Sequence, residues 1–351
     1  MTNKRVLFIC GSMNQTSQLY QVARELARDG RHDLAFTPFY GDRIVDAMRR
    51  LGLIEFTIGG NKRRGACLAY LREQGLRVDM HGREGRYDLV VTCTDLVVPK
   101  NVRSSRVLVV QEGILDPEGP LFRLVARFPR TLPLWFAGTA ATGMSGRYDR
   151  FCVASDGYKE LFVRHGAEPE RVIVTGMPNF DACERYRANR FPHQGFVLVC
   201  TSDTRETFKR DSRRELLERA GRIAAGRQLI FKLHPNEDAG RSTREIRQVL
   251  PHALVYASGS AEEMIANCAV LVTEWSSTAF VGLALGKEVY SNFGVDELRR
   301  LMPVQNGGSA ARNIARVCRE LLAAGGAKPI PLRRRHVEKR IESRLEKAVN
   351  Q

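Results

Sequence analysis

Short apolar runs alternate with amphipathic segments along most of the 351 residues of the chain. Short apolar runs between polar turns are typical of buried strands, whereas apolar residues three or four positions apart are typical of helices. In the N-terminal half, the pattern predicts strands at residues 5–10, 34–37, 89–92, 107–110, 151–154 and 172–174, with helices at 15–28 and 157–165. This alternation indicates βαβ units and a parallel sheet covered by helices.

The same pattern starts again in the second half of the chain. It predicts strands at residues 196–201, 228–233, 253–256, 270–273 and 288–290, and helices at 212–225, 261–267, 277–285 and 310–323. The polar segment 185–194 separates the halves. We therefore predict an α/β protein of two doubly wound, Rossmann-like domains, 1–188 and 189–330, facing a central cleft. A charged helix is predicted within 331–351, and from the architecture we expect it to cross back to the first domain.

Cysteine usage and the lack of long apolar stretches predict a cytoplasmic protein. The eight cysteines form no C-x-x-C pair and mostly lie in apolar runs, which is typical of buried thiols in a reducing compartment. The sequence contains no stretch of about 18 apolar residues, which is the length needed to span a membrane. The apolar run 6–9 is too short for a secretory signal.

The charge balance favours anionic partners. Lysine and arginine number 55 against 39 aspartates and glutamates, a net charge of +16. Nucleic acid, an anionic membrane surface and phosphorylated substrates all fit such an excess. The sequence has no signature of a nucleic-acid module, so we expect no specific nucleic acid. Segment 121–143 mixes aromatic residues with arginines; we interpret it as a core helix and loop, with peripheral contact at the inner face of an anionic membrane as the alternative.

Polar residues follow the strand predicted at 228–233. Lys232 and His234 are two positions apart, so an extended chain would point both side chains to the same side. Pro235 then ends the strand, because proline cannot donate to the sheet. A histidine in this place could bind or protonate a ligand, and the lysine could neutralise a phosphate. The alternative is that His234 caps a loop and Lys232 is a solvated charge at the sheet edge.

A second polar string follows the strand predicted at 270–273. Glu274 could accept a hydrogen bond from a sugar hydroxyl, or it could pair with an arginine. Ser276, Ser277 and Thr278 lie where a helix is predicted to begin, and the free N–H groups there favour a phosphate. An ordinary helix cap is the alternative for this hydroxyl cluster.

Three further strand ends carry candidate residues. Ser202 and Arg205 follow the first strand of the second half, where a guanidinium could clamp a diphosphate; a polar loop is the alternative. Glu112 follows the strand at 107–110 and is either a general base or a helix-capping carboxylate. Asp95 follows the strand at 89–92 and has the same two interpretations as Glu112.

These strings together resemble the GT-B superfamily of transferases. Residues 232–235 (Lys-Leu-His-Pro) and 273–277 (Thr-Glu-Trp-Ser-Ser) resemble the donor-diphosphate motifs of CDP-glycerol glycerophosphotransferases and capsule-polymer transferases, although Glu274 stands where aspartate is usual. Residues 174–181 (Val-Thr-Gly-Met-Pro-Asn-Phe-Asp) are similar to an interdomain string of UDP-N-acetylglucosamine 2-epimerases, which makes Gly176 and Asn179 candidates for the cleft. Residues 110–113 resemble an epimerase string that supplies a catalytic acid, but the epimerase Asp-Ser-Gly-Gly is absent.

The resemblance implies transfer of a sugar or polyol phosphate from a nucleotide-sugar or CDP-polyol donor to a glycan or lipid-linked acceptor. Arg205, Ser276 and Ser277 are then expected to hold the donor phosphates, with His234 and Lys232 neutralising the leaving nucleotide. Glu274 is expected to orient donor hydroxyls and Glu112 to deprotonate the acceptor. We expect no cofactor and no metal, because the sequence has no dense cluster of carboxylates or histidines. An epimerase and a non-catalytic nucleotide-binding protein remain as alternatives.

Overall fold

The computed structural model describes residues 3–55, 57–128, 131–202 and 213–324, and these form two compact units. The first unit contains the described residues up to Asp181 and those from Asn306 onward, and the second runs from Ala182 to Gln305. Each unit is built on its own parallel sheet. The predicted α/β class with two sheets is therefore confirmed.

The first unit has six parallel strands in the order β2-β1-β3-β4-β5-β6. The strands are β1 (Lys4–Cys10), β2 (His32–Pro38), β3 (Leu89–Thr92), β4 (Arg106–Val110), β5 (Arg150–Val153) and β6 (Val172–Val174). The helices are α1 (Met13–Ala27), α2 (Arg43–Arg50), α3 (Asn61–Glu73), α4 (Pro120–Arg127) and α5 (Asp156–Arg164). All six strands lie within two residues of the predicted positions because each is a short buried apolar run.

The second unit has five parallel strands in the order β11-β10-β7-β8-β9. They are β7 (Val197–Cys200), β8 (Leu229–Lys232), β9 (Leu254–Tyr256), β10 (Val270–Thr273) and β11 (Glu288–Tyr290). The helices are α6 (Arg213–Ala224), α7 (Ala239–Val249), α8 (Ala261–Asn267), α9 (Thr278–Ala284) and α10 (Val295–Leu301). The strand order reverses between β7 and β10, so the carboxyl ends of these two strands form the topological switch point, where such sheets bind ligands.

The last described helix, α11 (Ala310–Ala323), corrects the predicted domain boundary. The sequence assigned it to the second domain, but its apolar stripe, including Ile314, Cys318 and Leu321, is buried in the core of the first unit. Asp181 accepts hydrogen bonds from the backbone nitrogens of Asn306 (2.7 Å) and Ala310 (2.5 Å), which fixes the start of this segment. An amphipathic pattern shows that a helix buries one face, but not which sheet covers it. The helix predicted within 331–351 lies outside the described residues.

All eight cysteines are buried thiols, as predicted, and burial raises the pKa of Cys152 and of Cys200 to about 12. Within the described ranges, no helix is both long and apolar enough to cross a membrane.

The predicted core helix in 121–143 is confirmed for one face of α4, where Phe122 and Val125 are buried, while Leu121 and Leu124 on the other face are about half exposed.

Candidate functional site

The second unit places a hydroxyl and a carboxylate together at its switch point. Ser202 follows β7 and Glu274 follows β10, and the Ser202 hydroxyl donates to the Glu274 carboxylate over 3.0 Å. Glu274 is only 7 % exposed, and its backbone oxygen accepts from the Ser291 hydroxyl over 2.8 Å. Two of the residues predicted from strand ends are therefore brought into contact at the place where a parallel sheet binds its ligand.

His234 lies in a turn that is held by a buried carboxylate. Its backbone nitrogen donates to Glu237 over 2.8 Å and to the Thr201 hydroxyl over 3.0 Å. Its ring Nδ1 accepts from the backbone nitrogen of Asn236 over 3.2 Å, so we infer that the neutral ring carries its hydrogen on Nε2. These contacts fix both the position of the imidazole and its tautomer.

Glu237 and Arg213 are functional candidates that the sequence analysis missed. The Glu237 side chain is fully buried and forms an ion pair with Arg213, and it also accepts from the hydroxyls of Thr201 and Ser242. Breaking such a buried pair leaves an uncompensated charge, which is strongly destabilising. Glu237 lies only three residues beyond His234, and that spacing in a turn is the signal that could have identified it.

The structure contradicts one of the two sequence interpretations of Lys232, that of a solvated charge at the sheet edge. The side chain is not solvated, since the residue is 5 % exposed, and Nζ donates to the backbone oxygen of Leu233 over 2.7 Å. Burial lowers the pKa of the ammonium group. The lysine therefore places a positive charge at the end of β8, where its ammonium group is hydrogen-bonded to the backbone.

The hydroxyl cluster lies at the start of α9, as the sequence predicted. The Ser276 hydroxyl accepts from the backbone nitrogen of Thr278 over 3.3 Å and from the Thr278 hydroxyl over 2.9 Å, which fits the capping alternative for Ser276. Ser277 is the residue before the helix, and its side chain makes no capping bond among the described residues. Arg205, the remaining predicted phosphate ligand, lies outside the described residues.

In the first unit, Glu112 contacts the first turn of α1. Its carboxylate accepts from the Ser12 hydroxyl and from the Gln15 amide, each over 2.5 Å. Burial raises the pKa of Glu112, and the two hydrogen bonds oppose that shift. Both donors are side chains, so Glu112 is not capping a helix through backbone N–H groups. A carboxyl with a raised pKa is suited to take up a proton.

The other candidates of the first unit have structural contacts. Asp95 is 1 % exposed and accepts from the backbone nitrogens of Gly143 (2.9 Å) and Ser145 (3.0 Å), so it anchors a loop and does not face an opening. Asn179 binds the start of α1, donating to the backbone oxygen of Asn14 over 2.9 Å. Gly176 has a φ of 78°, a conformation that favours glycine. The sequence could not reveal these contacts, because they depend on the path of distant loops.

Among the described residues, no group of three or more His, Cys, Asp or Glu side chains is placed to hold a metal ion. The expectation that the protein uses neither a metal nor a cofactor stays a prediction.

Comparisons with known proteins identify the fold. No family model matches the chain, and no curated protein matches it. Among solved structures, the chain is similar to S. aureus MnaA with UDP (11 % identity, TM-score 0.52, covering 99 % of this chain and 97 % of that one). It is also similar to the UDP-GlcNAc 2-epimerase of Neisseria meningitidis bound to UDP-GlcNAc (12 %, 0.51, 99 % and 100 %). A third similar structure is the wall teichoic acid polymerase TagF with CDPG (12 %, 0.51, 92 % and 90 %).

Identities this low identify a fold and not an activity. The two parallel sheets, their helices and the nearly complete coverage agree with the resemblance drawn from the sequence. The chain therefore has the GT-B fold.

Proposed function

We propose that the protein is a transferase that moves a sugar or a polyol phosphate from a nucleotide-activated donor to an acceptor in the synthesis of a surface polysaccharide or glycoconjugate. The observation that carries the proposal is the hydrogen bond of 3.0 Å between Ser202 and Glu274 at the switch point of the second sheet. It places a carboxylate and a hydroxyl at the carboxyl end of β7 and β10, where a ligand rich in hydroxyls and phosphates binds in this class of sheet.

The second unit binds the donor in this proposal. Glu274 orients the hydroxyls of the transferred group, and Ser276, Ser277 and Arg205 bind the diphosphate. His234 donates from Nε2 to the leaving nucleotide, while the buried charge of Lys232 stabilises the negative charge that develops on it. Because the His234 ring is held by Asn236, little reorganisation is needed when that charge forms.

Glu112 of the first unit accepts the proton of the acceptor hydroxyl in this proposal. Its raised pKa favours proton uptake, and the hydrogen bonds from Ser12 and Gln15 hold the carboxylate in one orientation. The acceptor is a glycan or a lipid-linked molecule. In the transfer, the acceptor oxygen forms a bond to the transferred group, the bond from that group to the nucleotide breaks, and the acceptor proton moves to Glu112.

The alternative is an epimerase that acts on a nucleotide sugar without an acceptor. The similarity to the UDP-GlcNAc 2-epimerase of Neisseria meningitidis supports this alternative. Incubation with UDP-N-acetylglucosamine alone separates the two activities. New product in the absence of any acceptor would support the epimerase, whereas acceptor-dependent release of the nucleotide would support the transferase.

A nucleotide screen with a serine variant tests donor binding. We expect UDP, CDP or one of their activated derivatives to raise the unfolding temperature, since a ligand that binds only the folded state stabilises it. Replacing both Ser276 and Ser277 by alanine should weaken that nucleotide about tenfold or more, because hydrogen bonds to charged phosphates are lost. Calorimetry measures the affinity, and Ser258→Ala, at an exposed serine of the same unit, is the matched control. Equal affinities would limit both serines to helix capping.

We also propose that the protein works in the cytoplasm, at the inner face of the cell membrane. Its buried thiols suit a reducing compartment. An apolar surface, here called the α4 patch, consists of Leu121, Leu124, Phe128, Trp135 and Phe136, each 38–50 % exposed. Arginines 123 and 127 of the same helix are exposed and would attract anionic headgroups.

Vesicle binding tests the α4 patch. The double variant Leu124→Glu and Phe128→Glu should bind phosphatidylglycerol vesicles at least about tenfold more weakly than the unmodified protein, because two apolar side chains no longer enter the lipid and two negative charges oppose it. Co-sedimentation measures the effect. Val249→Glu, at a residue 45 % exposed in the second unit, serves as the control. Loss of binding in the control, or none in the double variant, would contradict this location.

A further inference from the structure

The first unit contains a cavity of about 420 Å³ at the carboxyl end of β2. Its walls come from the residues after β2, from α2, from the start of α3 and from the segments around His81 and Lys100. This volume is in the range of pockets that bind small molecules. No residue of the cavity was among the candidates drawn from the sequence.

The lining of this cavity is strongly cationic. Five arginine and lysine side chains line it, against the carboxylates of Asp42 and Asp46. Asp46 is already paired with Arg49 (2.7 Å) and Arg50 (2.9 Å). Asp42 accepts from the backbone nitrogen of Lys100 over 3.0 Å. The remaining cationic side chains, those of Arg64, Arg83 and Lys100, have no carboxylate partner in the described part of the chain.

Arg64 has an unused donor in this lining. Its Nη1 is buried and has no hydrogen-bond partner in the described ranges, while Nη2 lies 3.2 Å from His81 Nε2. Burial lowers the pKa of the guanidinium, but arginine stays charged in proteins. The backbone of His81 is held in place, since its oxygen accepts from the Asn101 amide over 2.9 Å. A buried guanidinium N–H without a partner favours an anionic acceptor, and the fork of donors of an arginine matches phosphate.

The cavity and the proposed base, Glu112, belong to the same unit. Arg63 is the neighbour of Arg64 on α3, and its charge acts on the carboxylate of Glu112, opposing the effect of burial on the Glu112 pKa. The cavity therefore belongs to the unit that supplies the base for the acceptor in the proposed function.

We propose that this cavity binds a phosphate group of the acceptor, so that the acceptor is a phosphorylated molecule and not a neutral glycan. The assignment of the ligand as acceptor rests on the proposed transferase function, whereas the anion site itself does not. Arg64 is the central ligand, with Arg83 and Lys100 at the rim, where both residues are exposed.

Phosphate titrations test the site on the whole protein. Calorimetry at fixed ionic strength, with chloride replaced by inorganic phosphate, should give saturable binding that Arg64→Gln weakens about tenfold or more. Arg72→Gln, at an exposed arginine on the same helix, should bind as the unmodified protein does. If Arg64→Gln does not fold, Arg83→Gln takes its place. Glucose 1-phosphate and dihexanoyl phosphatidic acid serve as probes that distinguish a soluble phosphate ester from a lipid phosphate as the ligand.

The possible results of these titrations test the anion site and the proposed transferase function separately. Absence of saturable phosphate binding, or equal binding by the Arg64 and Arg72 variants, overturns the inference even if nucleotides stabilise the protein. Phosphate binding that depends on Arg64, in a protein that binds and turns over no nucleotide, supports the anion site and removes the proposed function with the acceptor assignment. Tighter binding of the phosphatidic acid than of glucose 1-phosphate would identify a lipid-linked acceptor.

Discussion

Replacing His234 by alanine is expected to lower the rate of transfer by about a hundredfold to ten-thousandfold. The side chain is proposed to donate from Nε2 to the leaving nucleotide, and its tautomer is set by the bond from the Asn236 backbone to Nδ1. Without the imidazole, negative charge develops on the nucleotide with no donor in place. The rate is measured as release of free nucleotide in the presence of donor and acceptor, under saturating concentrations of both.

The same variant should keep its fold and much of its donor affinity. The bonds from the His234 backbone nitrogen to Thr201 and Glu237 do not involve the ring, so the turn retains its two main anchors. His252→Ala, at an exposed histidine of the same unit, controls for a general effect of losing an imidazole. A His234 variant with near-normal rate would remove this residue from the chemistry, and a variant that no longer binds nucleotide would assign it to binding.

The strands were predictable because each is a short apolar run, and the central ones, such as β3, β7 and β10, are buried on both faces of a parallel sheet. Strands β3, β6, β10 and β11 begin and end where the sequence placed them, and α11 does as well. What the sequence could not assign was the partner of α11, since its apolar stripe would fit either sheet. Asp181, whose carboxylate holds the start of that segment, is 129 positions from Ala310 and carries no local signal of the contact.

The candidate site was predictable in its position and less so in its roles. Polar residues after parallel strands meet at one edge of the sheet, and Ser202 and Glu274 do so. The direction in which a side chain points depends on the hydrogen-bonding groups that the surrounding loops provide. Lys232 turns to a backbone oxygen, and Asp95 turns to two backbone nitrogens from a loop about 50 residues away. The buried Glu237 was missed because a carboxylate in a turn ordinarily predicts a solvated group.

Replacing Glu112 by glutamine is expected to lower the rate of transfer by about a hundredfold to ten-thousandfold and to change its pH dependence. As a base, Glu112 must be ionised, so the rate of the unmodified protein should rise with pH through a pKa that burial places above the ordinary value for glutamate. The glutamine variant cannot titrate and should lack this rise. The measurement is the rate at saturating substrate across the pH range, with Glu170→Gln, at an exposed glutamate of the same unit, as the control.

The same substitution should stabilise the first unit at neutral pH. A carboxyl whose pKa is raised on folding contributes stability below its unfolded value, about 4.3, and that contribution is lost as the pH rises through the folded value. Glutamine keeps a hydrogen-bonding partner for both Ser12 and Gln15 but carries no charge to bury. The gain in unfolding temperature should therefore be present at pH 7 and shrink as the pH falls towards 4. A variant that loses activity and gains stability in this pattern would identify Glu112 as a base whose buried charge costs stability. Loss of both activity and stability would mean that the carboxylate holds the fold and that its effect on the rate is indirect.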